Sequence, residues 1–461
     1  MMKTGTTGLK PCATAAQAWH RTSVLSITQR WPRTLVLSAA LALVSIPDRV
    51  GLAGQNPVQQ DTGVRMIAVE GEAAQYWSRW RGPSGQGLTA ATGYPDTWSA
   101  TQNVAWKVPV AGRGNSSPIV WADRIFVTTA YDGGRRVSVL AFRRSDGGRL
   151  WEGFAPTGRT DNYSHYKNGQ ASATPATDGQ RVYAYFGSRG LVAFDMNGKL
   201  VWHRDLGEID AYHGTAGSPL LYKDRLILYQ DQGRGSFIGA FDTRTGQPLW
   251  RTNRDASVGW GTPIAIRVAD HDEIIVSGET KVQAYDPDTG RELWRCGGNM
   301  WEVIPTPVVG YGMVFCSSGR AGPTLAIRPG GKGDVTRSNL VWSSPRGSPF
   351  VPSPILYGEY IYMVNDMASI VTCLEATTGR TMWQGRLGVA QREGFSASPV
   401  AVDGKVFFTN DDGETFVLRA GPKFEIVNVN RIGESTLASP ALVDGRWYIR
   451  TDRNLMAIGK Q

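Results

Sequence analysis

Beyond residue 100 the chain is a succession of short stretches in which every second residue is apolar, the period of a strand with one buried face. Leu220–Tyr229 is representative: Leu-Leu-Tyr, a Lys223-Asp224 turn, then Arg-Leu-Ile-Leu-Tyr. Equivalent strand–turn–strand runs occupy Ile119–Thr128, Ala176–Tyr185, Val308–Cys316, Ile355–Val364, Val400–Thr409 and Ala441–Arg450. Each leads to a third strand and, in most units, a glycine turn and a fourth strand that carries a tryptophan. Ala240-x-Asp242-x-x-x-Gly246-x-x-x-Trp250 and Ala284-x-Asp286-x-x-x-Gly290-x-x-x-Trp294 show this half with identical offsets. The Asp suits a side chain that bonds its own turn backbone, and the Gly suits a positive φ. A tryptophan ring buries about 150–250 Å² and is costly to remove from a core. Trp106, Trp151, Trp202, Trp250, Trp294, Trp342 and Trp383 hold this place and are read as structural.

A small or hydroxyl residue followed by proline precedes each unit, at Ser117-Pro118, Thr174-Pro175, Ser218-Pro219, Thr262-Pro263, Thr306-Pro307, Ser353-Pro354, Ser398-Pro399 and Ser439-Pro440. The prolines are 57, 44, 44, 44, 47, 45 and 41 residues apart. Four short antiparallel strands per unit, repeated eight times at such a period, predict an all-β, eight-bladed β-propeller. The ends predict its closure. Trp106 has a fourth-strand tryptophan with no strands before it, while the last unit stops at Met456-Ala457-Ile458 after its third strand. The N-terminal strand therefore completes the last blade and removes both sheet edges. Two units depart from the pattern: Pro329–Asn339 is inserted before Trp342, and Val427 stands where a tryptophan is expected.

At 461 residues the chain exceeds one ordinary core, which repetition explains. Of the formal charge of +9, residues 1–54 carry +5, six basic side chains against Asp48. The remaining +4 is dispersed without a basic run or helix, which excludes the footprint of a nucleic-acid binder. Arg30 and Arg33 precede the apolar run Leu35–Ile46, with Gly51, Ala53 and Gly54 following, the form of an export signal. The predicted organisation is a leader over 1–54, an extension over 55–100 and the propeller over 101–461. The mature chain is expected to be periplasmic or secreted, monomeric and without an integral membrane domain. Cys296, Cys316 and Cys373 remain after the leader, an odd number with no metal-ligand spacing.

The repeated Ala-x-Asp-x-x-x-Gly-x-x-x-Trp resembles the tryptophan-docking motif of pyrroloquinoline quinone (PQQ) proteins, over about residues 75–461. The stretch Tyr76–Gly87 looks like the segment preceding exported PQQ-like propellers. The resemblance implies that each tryptophan stacks on a peptide plane of the neighbouring blade. It does not settle a cofactor, since the BamB-type outer-membrane assembly scaffold has this architecture and binds no quinone. Quinoprotein alcohol dehydrogenases pair a vicinal Cys-Cys disulfide and a tryptophan around PQQ, with Ca²⁺ held by Glu, Asn and Asp. Here no two cysteines are adjacent and no Cys-x-x-Cys-His occurs, although sugar-dehydrogenase types also lack the pair.

The segments leading into the eight prolines should line one mouth of the channel. They contribute Arg113, Asn115, His213, Trp260, Trp301, Glu302, Glu393 and Glu434, and the long connector Glu152–Ser172 adds Tyr163 and His165. One reading is a solvated rim with plugging aromatics. The other is an aromatic-walled, carboxylate-edged pocket for a carbohydrate, peptide or quinone. No nucleophile, base or metal set emerges. The preferred function is a non-catalytic binding scaffold for an envelope protein or small envelope ligand. The alternative is a PQQ- and calcium-dependent oxidoreductase acting on alcohols or sugars.

Overall fold

The computed structural model describes residues 63–161, 165–320, 322–389 and 394–460; the expected leader lies outside them. It contains eight antiparallel blades, each counted from its innermost strand. Blade 1 is Ile119–Phe154, blade 2 Ala176–Arg204, blade 3 Leu220–Asn253 and blade 4 Ile264–Gly297. Blade 5 is Val308–Ser344, blade 6 Ile355–Arg386 and blade 7 Val400–Arg431. Blade 8 joins the two ends: Ala441–Ile458 supplies three strands and Val104–Pro109 the fourth. Trp106 pairs with Ala457 and Pro109 with Asn454, so the ring closes as expected. No helix among the described residues is long and apolar enough to cross a membrane.

The motif residues are explained by local contacts. Asp242 Oδ1 accepts from the backbone N–H of Arg244 (3.0 Å) and Thr245 (2.8 Å), and Asp286 does the same for Asp288 and Thr289. The turn is thereby closed by its own side chain. The glycine that follows has a positive φ, +66° at Gly246, and the tryptophan of the preceding blade lies against it. A Cβ on Gly246 would stand 2.6 Å from the Trp202 ring. The indole Nε1 then donates to a carbonyl of the same turn: Trp106 to Arg144, Trp151 to Met196, Trp202 to Thr243, Trp250 to Pro287, Trp342 to Ala376 and Trp383 to Gly421.

Trp294 differs. Its Nε1 donates to Glu273 Oε2 in its own blade (2.9 Å), because the insertion has replaced the glycine turn it would meet. Gly333–Asp334 of that insertion pairs with Trp294–Arg295, and Val64–Met66 pairs with Ile264–Val268, giving blade 4 six strands. At blade 7, Val427 is exposed and the aromatic comes from elsewhere. Trp98 of the N-terminal extension is buried 5.1 Å from Trp447 and 6.3 Å from Phe407, between blades 7 and 8. Asn430 on the fourth strand of blade 7 anchors it by accepting the Trp98 N–H.

The extension also spans the channel. Its carbonyls accept from Val120 of blade 1, Thr177 of blade 2 and Ala401 of blade 7, and Gln86 Oε1 accepts from Val309 of blade 5. Its tight loop is held by guanidinium–carbonyl bonds, Arg79 to Ile67 and Pro83, and Arg81 to Gln86. Buried charge is tolerated where it is hydrogen-bonded in this way.

Candidate functional site

The eight hydroxyl residues before the prolines form a ring around the channel. Ser117 N–H donates to Thr174 Oγ1 (3.0 Å), Thr174 to Ser218 (3.0 Å) and Ser218 to Thr262 (3.1 Å). The series continues from Thr306 to Ser353, Ser353 to Ser398, Ser398 to Ser439 and Ser439 back to Ser117. At the remaining place, Thr306 Oγ1 accepts the indole N–H of Trp80 (3.1 Å), which rises from the extension. The signature is thus a blade-to-blade clasp. Proline cannot donate, and the residue before it uses its own N–H toward the next blade.

Trp80 and this ring border a cavity of about 180 Å³. Its other walls include Trp260, Phe350, His165, His213, Asn115, Asn168, Lys167 and Arg320. Trp260 is fixed by its Nε1 bond to Gly214 O (2.8 Å), and the His213 ring lies 5.9 Å from it. The connector between blades 1 and 2 folds over the mouth. Asn115 and Arg113 hold the carbonyls of Lys167 (2.8 Å) and Tyr166 (2.9 Å), and Asn168 holds that of His213 (2.6 Å). Lys167 Nζ reaches Asp411, in the turn joining the second and third strands of blade 7, at 2.6 Å.

Four of the sequence candidates meet at this cavity: Asn115, His165, His213 and Trp260. Arg113 lies on an adjacent rim groove. Trp301 and Glu302 line a separate open groove over blades 2 to 5. Glu302 there accepts from Tyr212 and Arg320, bonds that outweigh the opposing effect of burial and lower its pKa. Glu434 turns into blade 8, bonded to Asn454, Lys107 and Thr451, which lower its pKa against burial. Among the described residues no carboxylate edges the central cavity. Tyr163 and Glu393 lie outside the described residues.

Trp80, Arg320 and the ring hydroxyls are additions. The hydroxyls were visible as a repeat signature, but Trp80 precedes the first repeat and nothing in its spacing points to the channel. Asp366 was also missed. Its Oδ1 accepts Phe350 N–H (2.8 Å), Oδ2 is buried without a partner, and burial raises its pKa to about 6.

Among the described residues the cavity offers calcium no carboxylate and offers PQQ no vicinal cysteine pair, so the residues there do not fit PQQ with calcium. Cys296, Cys316 and Cys373 are buried as free thiols in blades 4, 5 and 6, away from the mouth. The cavity is also smaller than the roughly 300–1,000 Å³ usual for larger organic ligands.

Comparison with known proteins places this geometry in context. A family model described as outer membrane protein assembly factor BamB matches residues 78–295 and 234–461. The BamB of Burkholderia pseudomallei is 26% identical over 296 residues, 59% of this chain and 70% of that protein. Tetrathionate hydrolase of Acidithiobacillus ferrooxidans is 24% identical over 231 residues, 48% of this chain and 44% of that protein. The crystal structure of BamB from Moraxella catarrhalis superposes with a TM-score of 0.53 at 15% identity, covering 77% of this chain and 96% of that one. Quinohemoprotein alcohol dehydrogenase from Comamonas testosteroni gives 0.62 at 13% identity, covering 84% and 81%, a likeness of fold alone.

Proposed function

We propose, on the premise that this chain belongs to the outer membrane protein assembly factor BamB family, that it is a non-catalytic extracytoplasmic scaffold whose mouth face docks an envelope protein. The relatives named as outer membrane protein assembly factors and the leader expected over 1–54 support that location. The division into leader, 55–100 extension and 101–461 propeller is part of the same proposal.

One observation carries the reading. On the mouth face, an open groove of about 790 Å³ is lined by Tyr212 and Trp301, each 50% exposed, with Glu208, Asp210 and Glu279. Large aromatic side chains left in water beside acidic groups that outnumber the groove's Arg234 are the composition of a docking hot spot. Charge complementarity selects a partner segment carrying Lys or Arg, and rim charges of this kind raise its association rate.

The test is a double substitution, Trp301→Ala with Tyr212→Ala, read by crosslinking from the groove to purified outer-membrane assembly proteins. The crosslink should be lost while melting is retained, since exposed side chains seldom change stability by more than about 0.5 kcal/mol. A crosslink of undiminished yield would refute the proposed docking site.

A further inference from the structure

We infer that the channel cavity is a binding site for a small oxyanion, a carboxylate or a tetrahedral sulfur- or phosphorus-type anion. The inference goes beyond the docking groove, which lies over blades 2 to 5 and is lined by different residues.

The argument starts from hydrogen-bond polarity. A hydroxyl has one proton to give and lone pairs to receive. All eight ring hydroxyl oxygens already receive an N–H, seven from the neighbouring blade and one from Trp80. Among the described residues none of the eight gives its proton to a protein acceptor, and all eight line the cavity. Each hydroxyl therefore keeps a proton free to donate toward the cavity, beside one remaining lone pair.

The charged groups point the same way. Lys167 and Arg320 line the cavity, and among the described residues no Asp or Glu does. Of the carboxylates they bond, Asp411 faces the rim groove above blades 7 and 8 and Glu302 faces the docking groove. His213 adds a polar atom, since its Nδ1 is buried at the cavity wall without a hydrogen-bond partner and donates in its Nδ1–H tautomer. An anionic guest can accept from the ring hydroxyls, from both cations and from that tautomer. Ionised carboxylates and sulfate-like anions are such guests, and charge-assisted bonds to them are the stronger kind. A neutral sugar offers no charge for the two cations to meet. A cavity of about 180 Å³ admits a small anion.

The test is a titration of the full chain with sodium malonate, sodium sulfate and glucose, at ionic strength held constant with chloride. The readout is the fluorescence of the tryptophans, two of which border the cavity. Malonate or sulfate should give a saturable one-to-one change, the preferred one naming the subclass, and glucose should give none. His213→Gln and Arg320→Gln should each weaken that change at least tenfold. Either of two results would overturn the inference: an anion response no different from chloride or matched by glucose, or full affinity in both folded variants.

Discussion

Replacing Trp202 by alanine probes what fastens one blade to the next. The ring is buried, lies against Gly246 of blade 3, and its N–H donates 3.0 Å to Thr243 O. Truncating a core tryptophan costs about 3–5 kcal/mol. With an unfolding entropy of about 2.1 cal/mol/K per residue over roughly 400 residues, that loss lowers the melting temperature by about 4–6 °C. Trp202→Phe keeps most of the apolar ring and loses the hydrogen bond, worth about 1 kcal/mol and so roughly 1 °C. Thermal unfolding followed by circular dichroism separates the two. A W202A midpoint within about 1 °C of the parent would show that the indole contributes no fastening of this size. Equal shifts in W202A and W202F would assign the effect to the hydrogen bond and not to the ring.

Gly246→Ala should also destabilise, by more than about 1 kcal/mol in chemical denaturation, because the residue has φ +66° and its new methyl would strike the Trp202 ring. Asp231 and Arg254 form a fully buried ion pair, with Tyr285 on the same guanidinium, so Asp231→Ala should cost about 3–5 kcal/mol by leaving a buried cation unpaired. Asp366 has a folded pKa raised by burial to about 6, above its ordinary 3.8, so the folded state holds the extra proton between those values. Stability therefore falls as pH rises from about 4 to 6, and the advantage of Asp366→Asn, of order 3 kcal/mol, should be small at pH 4 and full at pH 7 in paired melts. Added PQQ and Ca²⁺ should produce neither a bound quinone absorbance band nor a thermal shift; stoichiometric uptake would restore the oxidoreductase alternative.

Blade number and ring closure were legible because they depend on spacing. Eight hydroxyl-proline pairs mark the first strands, and the unmatched Trp106 has one place to go. The departures were legible as departures but not in their outcome. Val427 announced a missing ring without saying that Trp98 would supply one, and the 329–339 insertion did not disclose that it would pair with Trp294. Both outcomes are contacts with segments outside the repeat, where periodicity carries no information.

The mouth was legible by position and not by direction. Asn115, His165, His213 and Trp260 border the channel cavity, at a height that the neighbouring strands fix. Glu302 and Glu434 share that height but turn aside, toward Arg320 and toward Lys107 with Asn454. Ionised side chains follow the nearest partner, and that partner comes from another strand. The connector is similar: Lys167 crosses to Asp411, 244 positions away, through a pairing no local pattern records.

Hydrogen–deuterium exchange at the seam tests the closed ring most directly. The amides of Val104–Val108 pair with Leu455–Ile458 and should exchange as slowly as those of Asn454–Ile458, in the same cooperative step. Rapid exchange of 104–108 beside a protected 454–458 would mean that blade 8 has three strands and that the chain's ends are not joined.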